Sequence, residues 1–266
     1  MPFAAGVDVG STQTKCVIID EERQIVARSL IDTGAKVTLA AERAFDAALS
    51  SAGMSREQVA CVVGTGYGRF KVEFGDFQIT EISCHAKAAC LLFPATRTVI
   101  DMGGQDAKGI KVLDGEVLDF VMNDKCAAGT GRFLATAAEV LCVSLDEIGP
   151  LAIEAHNPVR LSTVCTVFVE SDIMTYLVQG KKIPDILGGI HSAIAARTVS
   201  LVRRVGIEAE VTFTGGVSRN VGMVAALEQK LGLRVNVCED SHYMGAIGAA
   251  AFALERSISP VASGAA

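Results

Sequence analysis

The sequence predicts an α/β fold made of two duplicated lobes, and three stretches of the chain carry that prediction. In AGVDVGSTQTKCVIID (5–20) and RTVIDMGGQDAKGIKVL (97–113), an apolar strand reaches an Asp and a glycine turn, and a second strand follows. In EVTFTGGVSRNVGMVAALEQKLG (210–232), a strand, a glycine turn and a helix follow one another. Either hairpin alone fits an isolated β-hairpin, but two copies in one chain favour an internal duplication.

The remaining elements follow from apolar periodicity and from helix stop residues. We expect helices in 40–53, in 80–94 (stopped by Pro94), from about Ala127 to Leu141, from near Thr166, over 184–205 and over 245–256. VACVVGTGYGRF (59–70) predicts a strand that ends in a glycine-rich loop, and its TGYGR segment (65–69) predicts a tight turn, with a nucleotide or partner contact as the alternative. The expected domains are lobe I (1–95, completed by the helix at about 245–256), lobe II (96–244) and a disordered tail (257–266).

Composition limits the class of protein. The chain has 266 residues, half of them hydrophobic, and a formal net charge of −6. This acidity argues against a nucleic-acid partner, which selects a basic face. No stretch approaches about 18 uninterrupted apolar residues, and the N-terminus lacks the pattern of a signal peptide. We therefore expect a cytoplasmic protein without a membrane partner.

The eight cysteines should be reduced thiols or metal ligands, because disulfides are rare in the cytoplasm. There is no C-x-x-C pair, so a zinc ribbon or a thioredoxin motif is excluded. Core packing is expected for most of them, since a free cysteine behaves as a small buried hydrophobe; these are Cys16, Cys61, Cys84, Cys90, Cys142 and Cys238.

Cys126 and Cys165 differ because each precedes a predicted helix, in NDKCAAGTGRF and LSTVCTVFVESD. The free N–H groups at a helix N-terminus stabilise a thiolate or an anionic cluster. Two thiolates do not complete an iron–sulfur site, but a symmetric dimer would supply the other two. On the residues alone, two helix-capped core thiols and a shared metal site both stay open.

Phosphate chemistry is indicated by the two hairpin turns. Glycine and hydroxyl residues in tight turns present donors to phosphate oxygens, and an Asp at the end of a strand can hold Mg²⁺ or its waters. We expect Asp8 and Asp101 to bind Mg²⁺ and water and Gln105 to orient an attacking water. The expected nucleotide-binding residues are Gly10, Ser11, Thr12, Gln13, Thr14, Lys15, Gly103, Gly104 and Gln105 for phosphates, with Gly215 and Gly216 for adenosine.

The ordered set D-x-G-S-T, D-x-G-G-Q-D, T-G-G and a final small-residue helix resembles the actin/Hsp70/sugar-kinase-like (ASKHA) fold. This resemblance implies two duplicated RNase H-like lobes that close over ATP. Sugar-binding inserts and an Asp on an obvious substrate loop are missing, so ATP hydrolysis coupled to a conformational change is favoured. A metal-free sugar- or acetate-kinase-like phosphotransferase and an ATP-responsive regulatory protein without turnover are the alternatives.

Seven segments resemble the activators of 2-hydroxyacyl-CoA dehydratases and the ATPase subunits of ATP-dependent benzoyl-CoA reductases: GVDVGST, TGYGR, ITEISCHA, VIDMGGQD, MNDKCAAGTGRFL, VCTVFVESD and FTGGV. The resemblance covers about residues 5–255. It implies a dimer with one [4Fe-4S] cluster, ligated by Cys126 and Cys165 of each subunit.

It also implies that electrons pass from ferredoxin or flavodoxin to a partner iron–sulfur enzyme while ATP is hydrolysed to ADP. The motifs do not distinguish the dehydratase branch from the reductase branch, nor do they distinguish a homodimer from a pair with a paralogous subunit. The final acyl-CoA and the number of ATP molecules used per electron are not encoded in them either.

Overall fold

The computed structural model describes residues 2–123, 125–161 and 166–258. The strands in these ranges are Phe3–Val9 (β1), Gln13–Ile19 (β2), Ile25–Asp32 (β3), Val59–Thr65 (β4), Phe77–Gln78 (β5), Thr98–Met102 (β6), Ala107–Leu113 (β7), Glu116–Asn123 (β8), Val211–Thr214 (β9) and Val235–Asn236 (β10). The α-helices there are Val37–Ala52 (α1), Glu81–Leu92 (α2), Gly131–Val140 (α3), Ile148–Ile153 (α4), Thr166–Val178 (α5), Ile183–Val202 (α6), Val221–Leu231 (α7) and Met244–Ile258 (α8).

The chain divides into two compact units. The first comprises Met1–Pro94, Asp114–Glu116 and Tyr243–Ala266, and the second comprises Ala95–Leu113 and Val117–His242. The first unit holds β1 to β5 with α1, α2 and α8. The second unit holds the other sheet with α3 to α7.

The two sheets have the same topology. Their strand orders are β3-β2-β1-β4-β5 and β8-β7-β6-β9-β10. In the first sheet β1 is antiparallel to β2 and parallel to β4, and in the second β6 is antiparallel to β7 and parallel to β9. The repeated order confirms the predicted duplication of an α/β lobe.

In the first unit, β1 is buried on both faces, and its side chains alternate between them. Ala5, Val7 and Val9 belong to the apolar core that includes buried residues of α1. Gly6 faces α8 instead, where an added Cβ would overlap the carbonyl oxygen of Ala246 and the backbone nitrogen of Ala250. Glycine at this position therefore lets α8 lie directly on the sheet.

Local signals set the ends of the helices in this unit. The Thr80 hydroxyl accepts from the Ser83 N–H at 3.3 Å and caps α2, and Pro94 follows two residues after that helix. Gly53 ends α1 in the left-handed conformation (φ 64°), which glycine adopts without steric cost. The predicted helices in 40–53 and 80–94 are present.

The second unit has its own core under β6. Ile100 and Met102 pack with Phe133 of α3 and Ile190 of α6, all of them fully buried. Gly109 of β7 lies against α6, where an added Cβ would meet the Cα of Val202 at 3.0 Å. This packing places the ends of β6 and β9, with their glycine turns, beside the start of α3.

The C-terminal helix is longer than predicted. α8 continues to Ile258, so Ser257 and Ile258 of the predicted tail are helical. Residues 259–266 of that tail lie outside the described ranges. Within residues 2–123, 125–161 and 166–258, every helix is too short or too polar to span a lipid bilayer.

Candidate functional site

The first predicted phosphate loop is the tight turn between β1 and β2. The Gly10 N–H donates to the Gln13 carbonyl at 3.1 Å, and an added Cβ on Gly10 would lie 2.7 Å from that oxygen. Thr33 braces the turn, because its N–H donates to the Thr12 carbonyl at 2.9 Å and its hydroxyl donates to the Gly10 carbonyl at 2.8 Å. Ser11 and Thr12 are exposed at the tip, where their hydroxyls can meet a ligand.

Below this turn, Asp8 and Lys15 face each other on adjacent strands. Both are buried, and the Lys15 Nζ lies 3.9 Å from Asp8 Oδ2. An added Cβ on Gly66 would lie 2.5 Å from Asp8 Oδ1, and one on Gly245 would lie 2.7 Å from Oδ2. Glycine backbone therefore encloses the carboxylate, and Gly245 in the first turn of α8 brings that helix's positive end to it.

The second unit repeats this pair with Asp101 and Lys108. The register of β6 and β7 sets them opposite each other, and the Lys108 Nζ lies 3.2 Å from Asp101 Oδ2. The same ammonium also contacts Asp106 Oδ2 at 2.7 Å. The Gly103 N–H donates to the Asp106 carbonyl at 3.0 Å, as the Gly10 N–H does to Gln13 in the first turn. Lys108 thus bridges two carboxylates at the second predicted phosphate loop.

Two left-handed glycines occupy equivalent places in the units. Gly66 follows β4 with φ 88°, and Gly215 follows β9 with φ 85°. An added Cβ on Gly66 would meet the Val9 carbonyl at 2.6 Å, and one on Gly215 would meet the Met102 carbonyl at 2.5 Å. The turn predicted at residues 65–69 is therefore the counterpart of the glycine pair at 215–216.

Sequence reasoning missed Lys108 as a site residue and left Gly66 open between a tight turn and a nucleotide or partner contact. Both could have been found by aligning the two halves. The interval from Asp8 to Lys15 equals that from Asp101 to Lys108, and a Thr-Gly pair ends both β4 and β9.

The other predicted residues of the second unit lie at its two glycine turns. Gln105 is exposed at the tip of the turn that follows β6. Gly216, in the turn that follows β9, is exposed and has no atom within 4 Å of an added Cβ. The Ser218 hydroxyl donates to the Gly215 carbonyl at 2.7 Å and braces the glycine pair. Open space above Gly216 is what the approach of a flat ring requires.

The start of α3 is joined to this turn by two backbone hydrogen bonds. The Gly131 N–H donates to the Gly103 carbonyl at 2.9 Å, and the Arg132 N–H donates to the Gly104 carbonyl at 2.8 Å. These are among the first N–H groups of the helix, which have no partner inside it. The turn at 103–104 therefore supplies their acceptors.

The predicted helix start at Ala127 is wrong by four residues, because α3 begins at Gly131. Gly129 has φ 86°, and the Thr130 N–H closes a turn on the Ala127 carbonyl at 3.1 Å. These conformations interrupt a helix. Residues 126–130 form a separate segment, which we name the cysteine loop.

Cys126 is half-buried at the start of the cysteine loop. Small neighbours, Ala127, Ala128 and Gly129, follow it. Cys165 lies outside the described residues, immediately before α5. In the part of the chain that the structure describes, no three His, Cys, Asp or Glu side chains are grouped as a metal ion would need.

The other cysteines mostly follow the core expectation. Cys16, Cys61 and Cys84 are buried, and burial raises the pKa of the Cys61 thiol to about 11 and that of Cys84 to about 12. Burial also raises the pKa of Cys16 far above its ordinary value. For Cys142 the core expectation is wrong, because this residue follows Leu141, the C-cap of α3, with φ 54° and is exposed. Cys90 and Cys238 are half-buried.

Comparison with known proteins identifies the family. The sequence model of the BadF/BadG/BcrA/BcrD ATPase family matches residues 5–253 of this chain. The chain belongs to this family. The resemblance inferred from the sequence motifs is thereby confirmed.

Curated relatives include members of both functional branches. The (R)-2-hydroxyglutaryl-CoA dehydratase activating ATPase of Acidaminococcus fermentans is 42% identical over 256 residues, which cover 96% of this chain and 98% of the relative. The activator of lactoyl-CoA dehydratase of Anaerotignum propionicum is 43% identical, with coverages of 95% and 98%. A benzoyl-CoA reductase subunit of Thauera aromatica is 33% identical, with coverages of 94% and 92%.

Solved structures agree with this family assignment. The corresponding component of the A. fermentans (R)-2-hydroxyglutaryl-CoA dehydratase superposes with a TM-score of 0.94 at 41% identity, covering 97% of this chain and all of that chain. The Clostridium difficile activator of 2-hydroxyisocaproyl-CoA dehydratase, solved with bound ADPNP, gives a TM-score of 0.91 at 41% identity, with coverages of 96% and 95%. A ROK family glucokinase from Streptomyces griseus gives 0.61 at 13% identity, covering 95% of this chain and 99% of that one. The distant match shares the fold alone and is consistent with the predicted actin/Hsp70/sugar-kinase-like (ASKHA) architecture.

Proposed function

We propose that this protein is an ATP-hydrolysing electron activator that carries one [4Fe-4S] cluster per dimer. It would take electrons from ferredoxin or flavodoxin in the cytoplasm and pass them, at low potential, to a partner iron–sulfur enzyme. The names of the relatives support a 2-hydroxyacyl-CoA dehydratase or a benzoyl-CoA reductase as that partner.

The observation that carries the proposal is the pair of hydrogen bonds from Gly131 and Arg132 to the carbonyls of Gly103 and Gly104. Gly103 and Gly104 belong to the predicted phosphate loop, and Gly131 follows the cysteine loop directly. A change in the phosphate loop on ATP hydrolysis would therefore move the backbone that positions Cys126. Nucleotide chemistry and electron transfer would be coupled through main-chain atoms.

Each unit carries a glycine turn with residues suited to a nucleotide. We assign phosphate contacts to residues 11–15 and 103–105, and adenosine contact to Gly215 and Gly216. Asp8 and Asp101 are buried beside Lys15 and Lys108, so each carboxylate already has one cation within 4 Å. This environment fits Mg²⁺ held through its own waters, which that ion retains readily. Gln105, exposed at the turn, would orient the attacking water.

The cysteine loop fits an iron–sulfur cluster in its donor chemistry. Cys126 offers a partly exposed thiol, and its small neighbours leave room beside it. Cys165 would be the second ligand, and a second copy or a paralogous subunit would supply two more thiolates. Such a cluster would accept and release one electron. The chain's own residues would hold the thiolates and couple them to the nucleotide.

Iron analysis tests the cluster assignment. Anaerobically purified protein should be brown and contain about four iron atoms and four sulfides per dimer. Cys126→Ala should lose the iron, whereas the matched control Cys142→Ala should retain it because Cys142 is an exposed residue just after the end of α3. A full iron content in Cys126→Ala would contradict the assignment of Cys126 as a cluster ligand.

A pair of variants at Gly131 tests the coupling. Gly131→Pro removes the N–H that donates to the Gly103 carbonyl. The helix should survive this change, because proline is tolerated in the first turn of a helix and Thr130 already has the extended backbone that a residue before proline adopts. Gly131→Ala keeps the N–H and serves as the control. We expect ATP to change the rate at which a chelator removes iron from the wild type and from Gly131→Ala, but not from Gly131→Pro.

Two outcomes would reject this coupling or the function itself. A nucleotide response in Gly131→Pro equal to that of the wild type would exclude the hydrogen bond as the route. ATP consumption that depends on a small hydroxylated substrate, in protein without iron, would instead identify the sugar- or acetate-kinase-like phosphotransferase.

A further inference from the structure

Asn123 ends β8, three residues before Cys126, and its side chain holds the cysteine loop. Its Nδ2 donates to the Cys126 carbonyl at 2.8 Å and to the Ala128 carbonyl at 3.1 Å. Carbonyl oxygens only accept hydrogen bonds, so the NH₂ end of the amide must face them. Both hydrogens of that group are used on the loop.

The Ala127 carbonyl, which lies between these two, is held by Thr130 at the other end of the cysteine loop. The Ala127 carbonyl accepts from the Thr130 hydroxyl at 2.7 Å and from the Thr130 N–H at 3.1 Å. Thr130 is fully buried, so this contact is shielded from water. Three successive carbonyls of the cysteine loop therefore have fixed directions.

Fixed carbonyls also fix the N–H groups. In a trans peptide each C=O points opposite to the N–H of the next residue. The N–H groups of Ala127 and Gly129 therefore point away from Asn123. Backbone N–H groups that point to one side of a loop can donate to an anion, and hydrogen bonds to cluster sulfurs help to set a cluster's reduction potential.

We propose that Asn123 is a positioning residue for the iron–sulfur cluster. By holding the carbonyls of Cys126 and Ala128, it keeps the N–H groups of Ala127 and Gly129 available as donors to the sulfur atoms of a cluster bound through Cys126. This role rests on the proposed function, because it requires that Cys126 binds a cluster.

Two variants separate the hydrogen bonds from charge. Asn123→Leu removes both donors and stays neutral, whereas Asn123→Asp keeps the shape, presents only acceptors to the two carbonyls and adds a negative charge. If the donors matter, both variants change the cluster. If charge alone matters, only Asn123→Asp does.

Three measurements under anaerobic conditions test the proposal. Removal of iron by a chelator should be about 10–100-fold faster in both variants, the range for partners that orient metal ligands. The reduction potential should be more negative in both variants, because lost N–H donors no longer stabilise the reduced, more anionic cluster. In cluster-free protein, the Thr130 amide should exchange its hydrogen faster in Asn123→Leu than in the wild type.

The outcomes distinguish this inference from the proposed function. Iron-loaded wild type together with an unchanged potential and release rate in Asn123→Leu would overturn the role of Asn123 alone. An unchanged rate of hydrogen exchange at the Thr130 amide in Asn123→Leu would overturn the claim that Asn123 holds the cysteine loop. Wild-type protein that contains no iron would overturn both proposals.

Discussion

Gly215→Ala should destabilise the second unit through two separate effects, and a second glycine isolates one of them. Gly215 has φ 85°, and an added Cβ would lie 2.5 Å from the Met102 carbonyl and closer still to Asp101 Oδ1. Gly232, at the end of α7, has φ 72° but no atom within 4 Å of an added Cβ. Gly232→Ala therefore carries the backbone cost without the clash.

The magnitude follows from these distances. A left-handed conformation costs a residue with a Cβ about 1–2 kcal/mol, and this applies to both variants. Ordinary contact begins at 3.4 Å, so atoms around residue 215 must move by about 1 Å. Overpacking of this kind costs about 1–3 kcal/mol more. We expect losses of about 2–5 kcal/mol for Gly215→Ala and about 1–2 kcal/mol for Gly232→Ala.

Urea unfolding followed by circular dichroism measures the difference. With a slope of about 2 kcal/mol per M, the midpoint should fall by about 1–2.5 M for Gly215→Ala and by about 0.5–1 M for Gly232→Ala. Equal shifts in the two variants would refute the claim that Gly215 is needed for close approach to Asp101 and Met102.

Four further predictions concern an ion pair, a helix cap and two cysteines. Lys108→Met leaves Asp101 buried without this cation and should cost about 3–5 kcal/mol in urea unfolding, and adding Asp101→Asn should recover most of the loss. Asn220→Ala should lower the free energy of unfolding by about 2–4 kcal/mol, because Asn220 caps α7 and its side-chain oxygen also lies 3.1 Å from Nε2 of buried His191. Thr80→Ala removes only a helix cap and should lower it by about 1 kcal/mol. At pH 8 iodoacetamide should modify exposed Cys142 and spare Cys84, as peptide mass mapping will show, because burial raises the pKa of the Cys84 thiol to about 12. Between about pH 9 and pH 12 the unfolded chain releases the Cys84 proton while the folded protein keeps it, so the free energy of unfolding should fall as the pH rises.

Much of the fold could be predicted from the sequence, because the decisive patterns are local. Alternating apolar residues and a glycine turn define each hairpin within about 17 residues, and two such hairpins predict the duplicated lobes. Apolar spacing together with Pro94 predicts α2. The Asp and glycine residues of both turns could be named for the same reason, since each lies at the end of a predicted strand.

Tertiary structure decided what depends on distant segments of the chain. Lys108 meets Asp101 through the register of two strands, and Gly66 and Gly215 are required because each lies against an Asp from another strand. The helix propensity of Ala127 and Ala128 was overridden by the side chains of Asn123 and Thr130, which hold the carbonyls of that segment in a loop. The sequence alone thus determined the hairpins, the turn residues and the family. Only long-range packing and hydrogen bonding placed the start of α3, which directly follows the cysteine loop, against the predicted phosphate loop.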